Sequence, residues 1–235
     1  RDQGPRAVAV GVCLGGAFAL YAMSLLLTEV VRSLLLFYLS PIWSTLIGAM
    51  LFGRPITRTR MLSIGLGVVG LLVVMDYRDG LPWPRNAGDW VALTSGFIWA
   101  IGSVISYRNA DIGILESVTG FNLGGLLLSV VILGVAGAGL ATVPARDAVL
   151  TQLPLLTALS LALFLPTSIA LVWGVQRVDP GRVGILLMIE LVVGAASAAV
   201  WTAEPFGLRE AVGALMIIGA GLVEVLGRRR PAATA

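Results

Sequence analysis

One carboxylate, Glu190, lies deep inside a long apolar segment, Arg182–Ala203. It follows the start of that segment by eight residues, about 12 Å along an α-helix, which would place it within the hydrocarbon of a bilayer. A charge at this depth is costly and usually faces a cavity or a partner. Gly194, Ser197 and Trp201 follow on the same helix face. We expect Glu190, Ser197 and Trp201 to line a substrate or proton site; the alternative is a structural glutamate bonded to a neighbouring helix.

Two arginines, Arg32 and Arg182, each begin an apolar segment three residues after an acidic residue, Glu29 or Asp179. Each arginine would lie near a membrane face, where it could pair with its acidic neighbour or select an anionic substrate. The alternative is that its apolar stem lies along the helix while the guanidinium reaches the membrane surface. We include both arginines among the candidate substrate-binding residues.

Two prolines, Pro41 and Pro166, interrupt apolar segments. Proline lacks a backbone N–H and frees a carbonyl four residues earlier. In transporters such breaks expose the backbone to substrate or act as hinges, although proline is also common in ordinary membrane helices. Ser40 and Ser44 lie beside Pro41 and could bond the freed carbonyls or line a path.

Trp99 lies ten residues inside its apolar segment, too deep for the tryptophan belt at a membrane surface. An aromatic ring in a cavity would suit an amphipathic metabolite, and the alternative is simple packing. We include Trp99 among the candidate substrate-binding residues.

The composition excludes several kinds of site. The chain has no histidine and a single cysteine, Cys13, so we expect no metal site, no cofactor and no catalytic triad. Of its 235 residues 57% are hydrophobic and 12% charged, against about 25% charged in soluble domains. The net charge of +3 comes from arginines in short loops, a pattern of membrane topology rather than of nucleic-acid binding.

The apolar segments predict an all-α bundle that crosses the membrane eight times. We place the spans at Ala7–Leu27, Val30–Phe52, Met61–Met75, Asp89–Tyr107, Ile114–Ala138, Leu153–Val175, Arg182–Ala203 and Leu208–Gly227. With both ends of the chain in the cytoplasm, 11 arginines lie inside and 5 outside. That excess favours cytoplasmic ends, in a multi-pass protein of the inner (plasma) membrane.

An internal repeat appears when the chain is shifted by 150 residues. The shift aligns Glu29 with Asp179, Arg32 with Arg182, Ser40 with Glu190, Ala49 with Ala199 and Pro55 with Pro205. The aligned spans are separated by an odd number of crossings, so they would run in opposite directions, as in the inverted repeats of transporters. The fourth and fifth spans lack counterparts, which predicts two helices before residue 1 and a native fold of ten.

These motifs resemble the EamA-type family of the drug/metabolite transporter superfamily. The stretch LLLFYLSPIWSTLIGAMLFGRPITRTRMLSIGLGVVGLLVVM, residues 34–75, is similar to the family's Pro, Leu-Gly-Glu-x-Leu-Thr and Gly-x-x-Gly signature, and Arg182–Leu226 resembles a second copy. Two departures are Arg54, in place of a glutamate, and Leu191, in place of the proline after Glu190. The resemblance implies a ten-helix fold of two inverted five-helix halves, here without its first two helices. Residues 1–80 would hold three helices of the first repeat and residues 81–235 the second repeat.

The resemblance implies a secondary transporter that moves a small metabolite outward by alternating access, not an enzyme. One alternative is a nucleotide-sugar or lipid-linked-sugar carrier of the same superfamily, which would need more basic residues at the cavity. Others are an intramembrane enzyme and a non-transporting scaffold. The expected partners are a small-molecule substrate and the lipid bilayer, with no nucleic acid, and a homodimer is left open.

Overall fold

The described part of the chain is entirely helical. The structure is a computed structural model that describes residues 4–53, 55–77, 83–136, 146–201 and 207–226, without the side chains of residues 136, 194, 195, 198, 199 and 201. The helices are α1 (Gly4–Leu27), α2 (Val30–Phe37), α3 (Ser40–Phe52), α4 (Arg58–Val74), α5 (Ala87–Arg108), α6 (Ile114–Ala136), α7 (Arg146–Leu159), α8 (Leu165–Arg177), α9 (Pro180–Trp201) and α10 (Leu208–Leu226).

Eight helical rods result within the described ranges, because α2 with α3 and α7 with α8 each follow one continuous path. The predicted all-α class is confirmed. Five rods are long and apolar enough to cross a membrane: Gly4–Leu27, Val30–Phe52, Ala87–Arg108, Ile114–Val135 and Arg146–Arg177. The rod from Arg146 begins seven residues before the predicted Leu153, since Asp147 and Gln152 are accommodated in its first turns.

The break between α2 and α3 lies at Tyr38 and Leu39, just before Pro41. Pro41 has no N–H to give to the carbonyl of Phe37, four residues earlier. That carbonyl lies against Gly96 of α5, where an added Cβ would approach it within 2.7 Å. The residues of the break are therefore held against a glycine on the neighbouring helix.

A second irregularity precedes Pro166. Residues Ser160–Phe164 form a π-helical turn between α7 and α8, and Pro166 occupies the first turn of α8. A π-turn inserts one extra residue and commonly marks a functional site. The hydroxyl of Ser168 donates to the carbonyl of Leu165 at 2.9 Å, within the same turn.

Helix α1 is central to the packing and lies against α5 and α6. Small residues permit the approach: a Cβ added to Gly11 would overlap the backbone of Gly120, and one added to Gly15 would overlap the carbonyl of Phe121. Without interhelical water to expel, membrane helices associate through this kind of close packing.

Two pairs of helices pack antiparallel. Along α3 and α9, close approaches join Gly181 with Thr45, Gly184 with Pro41 and Leu187 with Tyr38. Along α4 and α10, they join Gly70 with Gly213 and Gly67 with Ala220. In both pairs the residue numbers rise along one helix as they fall along the other, so the chains run in opposite directions.

We predict that Gly15→Ala destabilises the protein and that Gly65→Ala does not. The first change forces a methyl group into the backbone of α6, and overpacking of this kind costs about 1–3 kcal/mol. Gly65 faces open space, and alanine is the better helix former there. Thermal unfolding of detergent-purified protein, followed by tryptophan fluorescence, should show a lower midpoint for Gly15→Ala alone. Equal midpoints would contradict the close contact of α1 and α6.

Candidate substrate site and its ionic clusters

The break between α2 and α3 faces Glu190 of α9. Tyr38 is buried at that break, and its hydroxyl donates to the carbonyl of Leu187 at 3.4 Å. Tyr38 is also close enough to interact electrostatically with the Glu190 carboxylate. Tyr21 of α1 is close enough to interact electrostatically with the same carboxylate. Glu190 itself is exposed. Tyr21, Tyr38 and Glu190 are called the tyrosine–glutamate site below.

Aromatic rings pack behind this site. Phe37 contacts Tyr21, with ring centroids 4.6 Å apart, and meets Tyr38 edge-on at 5.4 Å. Trp99 lies 6.2 Å from Phe37 and is buried. Trp99 thus supports the tyrosines through Phe37.

A first ionic cluster, the Arg32 cluster, joins the starts of α2 and α5. Arg32 pairs with Asp89, which is fully buried, and also donates to the hydroxyl of Tyr77 at 3.0 Å and to the carbonyl of Trp83 at 2.9 Å. Asp89 accepts a further bond from Thr28 at 2.6 Å. The described contacts pair Arg32 with Asp89 rather than with Glu29, which was one of the partners considered from the sequence. Asp89 lies in the first turn of α5, where Asn86 caps the helix and α5 packs against α2.

A second cluster, the Glu224 cluster, joins α4, α9 and α10. One carboxylate oxygen of Glu224, Oε1, accepts from Arg60 at 2.8 Å and from Arg182 at 2.9 Å. Asp179 lies 2.8 Å from Arg60. Glu224 is only 4% exposed, so its charge depends on these two arginines.

The two clusters lie at opposite ends of the antiparallel pair formed by α2–α3 and α9. Tyr38 follows Arg32 by six residues and Glu190 follows Arg182 by eight, about 9 Å and 12 Å along their helices. The tyrosine–glutamate site therefore lies between the Arg32 cluster and the Glu224 cluster.

A cavity of about 330 Å³ adjoins the Glu224 cluster and is lined by Ser44, Thr45 and Arg182 among others. Ser44 is buried at its wall. Ser40 is also buried, and its hydroxyl has no partner among the described residues. The structure thus brings Ser40, Ser44 and Arg182 together with Pro41 around the contact of α3 and α9.

The other predicted residues lie apart. The hydroxyl of Ser197 donates to the carbonyl of Val193 at 2.7 Å, on an exposed face of α9. The side chain of Trp201 lies outside the described part of the chain, as do Arg54 and the loop that holds Pro205. Pro166 lies in the first turn of α8.

Sequence reasoning missed most of the residues that surround Glu190 and the two arginines. These residues are Tyr21, Tyr38, Arg60, Asp89 and Glu224. Asp89 carried a usable signal, because Asn86-x-x-Asp89 is a helix-capping pattern and the Asn86 side chain accepts from the Asp89 N–H at 2.8 Å. Glu224 carried a weaker signal, as the second carboxylate of the apolar segment Leu208–Gly227.

Comparison with known proteins agrees with this architecture. Residues 5–76, which cover α1 to α4 except for Gly4, match the EamA-like transporter family. This part of the chain is EamA-like. No curated protein matches the chain. One solved crystal structure aligns with a TM-score of 0.75 and 23% sequence identity, covering 98% of this chain and 79% of the other. The TM-score shows that the two chains share a fold, and at 23% identity the likeness shows the fold alone.

Arg32 lies in the EamA-like segment, and we predict that Arg32 and Asp89 are energetically coupled in their effect on the free energy of unfolding. Arg32→Gln and Asp89→Asn each leave a buried charge unpaired, which costs about 3–5 kcal/mol. The double variant should lose less free energy of unfolding than the sum of the losses of the two single variants. Chemical unfolding in detergent measures all three, with Arg209→Gln, at an exposed ion pair, as a control that changes little. Strictly additive losses would show that the two side chains act independently.

Proposed function

We propose that this protein is a secondary transporter that exports a small metabolite by alternating access. The observation that carries the proposal is the tyrosine–glutamate site, which lies between two ionic clusters on antiparallel helices. Alternating access needs a site that can bind a small molecule and, towards each end of the bundle, a polar contact between helices that can open. The EamA-like match of residues 5–76 supports transport as the broad function.

The same proposal treats the chain as two inverted repeats, residues 1–80 and 81–235. The shift of 150 residues aligns α2–α3 with α9, and α4 with α10. Both of these pairs pack antiparallel and in direct contact, which supports an inverted relationship. The aligned arginines, Arg32 and Arg182, each anchor a cluster at a different end.

Transport would proceed by opening the two clusters in turn. With the Glu224 cluster open, a metabolite enters beside α3 and reaches Tyr38 and Glu190. Closing this cluster and opening the Arg32 cluster then releases the metabolite on the other side. The break at Tyr38 and Leu39 lets α2 and α3 change their mutual angle without losing the helical bonds of either.

The test is metabolite profiling of cells and medium with the full-length protein. We predict that Glu190→Gln and Tyr38→Phe each reduce export by tenfold or more, as expected for about 1.4 kcal/mol or more of lost substrate stabilisation. Glu116→Gln is the matched control, because Glu116 is an exposed carboxylate on α6 that bonds only its own helix start among the described contacts. All variants are compared at equal amounts in the membrane.

Other outcomes would favour the alternatives. Export that is equal for wild type and Glu190→Gln would keep transport and make Glu190 a structural residue. Export of a sugar nucleotide would identify a sugar carrier. A chemical conversion without export, or no change with folded protein present, would contradict transport and favour an enzyme or a scaffold.

We further propose that both ends of the chain are cytoplasmic in the inner membrane. In a Cys13→Ala background, Asp147→Cys and Arg177→Cys place thiols at exposed positions on the two ends of the α7–α8 rod. A membrane-impermeant maleimide applied from the extracytoplasmic side should label Asp147→Cys at once, and Arg177→Cys only after the membrane is opened. The reverse pattern would invert the topology.

A further inference from the structure

The cavity beside the Glu224 cluster has a charged wall and an apolar wall. The charged part of the lining holds Arg60 and Arg182 with their carboxylate partners Asp179 and Glu224. The apolar part includes Gly48, Ala49 and Phe52 of α3. Its volume of about 330 Å³ suits a small organic molecule. A ligand that matches both walls has an anionic or strongly polar head and a compact apolar body.

An unpartnered hydroxyl marks the charged end of this cavity. Thr45 is 4% exposed, and its Oγ1 has no hydrogen-bond partner among the described residues. Buried hydroxyls without partners are rare in folded proteins. A Cβ built on Gly181 would lie 2.6 Å from Thr45 Oγ1 and 2.9 Å from Arg60 Nη1, so the hydroxyl and the guanidinium lie side by side over this glycine.

Arg60 and Arg182 already hold a carboxylate of the protein, that of Glu224. Arg60 and Arg182 both donate to the same oxygen of Glu224. Each guanidinium has five N–H groups, and a carboxylate has two oxygens that each accept two bonds. Arg60 also pairs with Asp179 at 2.8 Å. A carboxylate that used both of its oxygens would therefore replace Glu224 between the arginines while Asp179 stays on Arg60.

We propose that this cavity binds a monovalent organic carboxylate with a small apolar body, which replaces Glu224 between Arg60 and Arg182. The ligand carboxylate also accepts the Thr45 hydroxyl, and its body lies against Phe52. The inference rests on the transport function proposed above and names its substrate class. A carboxylate is favoured over a phosphate because a one-for-one exchange leaves the charge facing the arginines unchanged.

The exchange has a mechanical consequence. Glu224 lies near the end of α10, and its bonds tie that end to α4 through Arg60 and to α9 through Arg182. When a ligand takes both arginines, the displaced Glu224 carboxylate turns to the water at the cavity mouth. The end of α10 is then released, so ligand arrival opens the Glu224 cluster.

Equilibrium binding to the purified full-length protein tests this directly. The probe is radiolabelled phenylacetate, with unlabelled phenylacetamide and inorganic phosphate as competitors. Phenylacetate should bind saturably, and phenylacetamide, which has the same shape without the charge, should not displace it. Phosphate should compete at least about tenfold more weakly than unlabelled phenylacetate.

Variants distinguish a change in ligand binding from a loss of the fold, because some are expected to weaken phenylacetate binding and one is expected to strengthen it. Arg182→Gln and Thr45→Val each remove a donor to the ligand and should weaken binding by roughly tenfold. Glu224→Gln removes the internal competitor and should bind phenylacetate several-fold more tightly than wild type does. Arg209→Gln, at the other end of α10, should leave binding unchanged.

The proposal would be overturned if phenylacetate bound no better than phenylacetamide to wild type and to Glu224→Gln, with both proteins folded and monodisperse. Tighter binding of phosphate would overturn it in favour of an inorganic anion site. Saturable phenylacetate binding without any metabolite export would keep this site and overturn the transport function. Export of other metabolites without carboxylate binding would overturn this site and keep the transport function.

Discussion

Charges in an apolar helical bundle have to be paired, because an unpaired charge away from water is strongly destabilising. The two most buried carboxylates discussed here, Asp89 and Glu224, obey this constraint through arginines on other helices. Each pairing fixes where one helix ends against another, so the ion pairs set the register of the bundle. Glu190 differs, since it is exposed and lies close enough to Tyr38 and Tyr21 to interact with them electrostatically. A carboxylate without a fixed cation can exchange partners, which suits a binding residue better than a structural one.

Backbone contact complements the ion pairs. Glycines allow α1 to touch α6, and α4 to touch α10, at distances that any side chain would prevent. These contacts are rigid, whereas the break before Pro41 and the π-turn before Pro166 interrupt the helical bonding at two defined places. The bundle thus combines two closely packed helix pairs, α1 with α6 and α4 with α10, with two local discontinuities. A motion that preserves the glycine contacts must use the discontinuities, and the first of them adjoins the tyrosine–glutamate site.

The sequence predicted the helical class and the approximate rods, because apolar segments of about 20 residues have few alternatives in a bilayer. Pro41 and Pro166 each lie in the first turn of the helix that follows an irregularity; that these places act as hinges stays a prediction. The sequence did not predict the partners of the charged residues: Arg32 meets Asp89 from 57 positions away, a pairing that depends on how α2 and α5 pack. Arg60 was one of several loop arginines, and nothing local distinguished it from Arg58. Tyrosines have ordinary places in membrane helices, so Tyr21 and Tyr38 carried no signal until α9 was placed beside them.

Distances at the two ends of the bundle would test alternating access most directly. In a cysteine-free background, one pair of spin labels at Leu51→Cys and Val225→Cys reports on the Glu224 end, and another at Trp90→Cys and Leu208→Cys reports on the Arg32 end. All four positions are exposed. Measured with and without a transported metabolite, the two distances should change in opposite senses, one lengthening as the other shortens. Distances that stay fixed, or that lengthen together, would contradict alternating access between the two clusters.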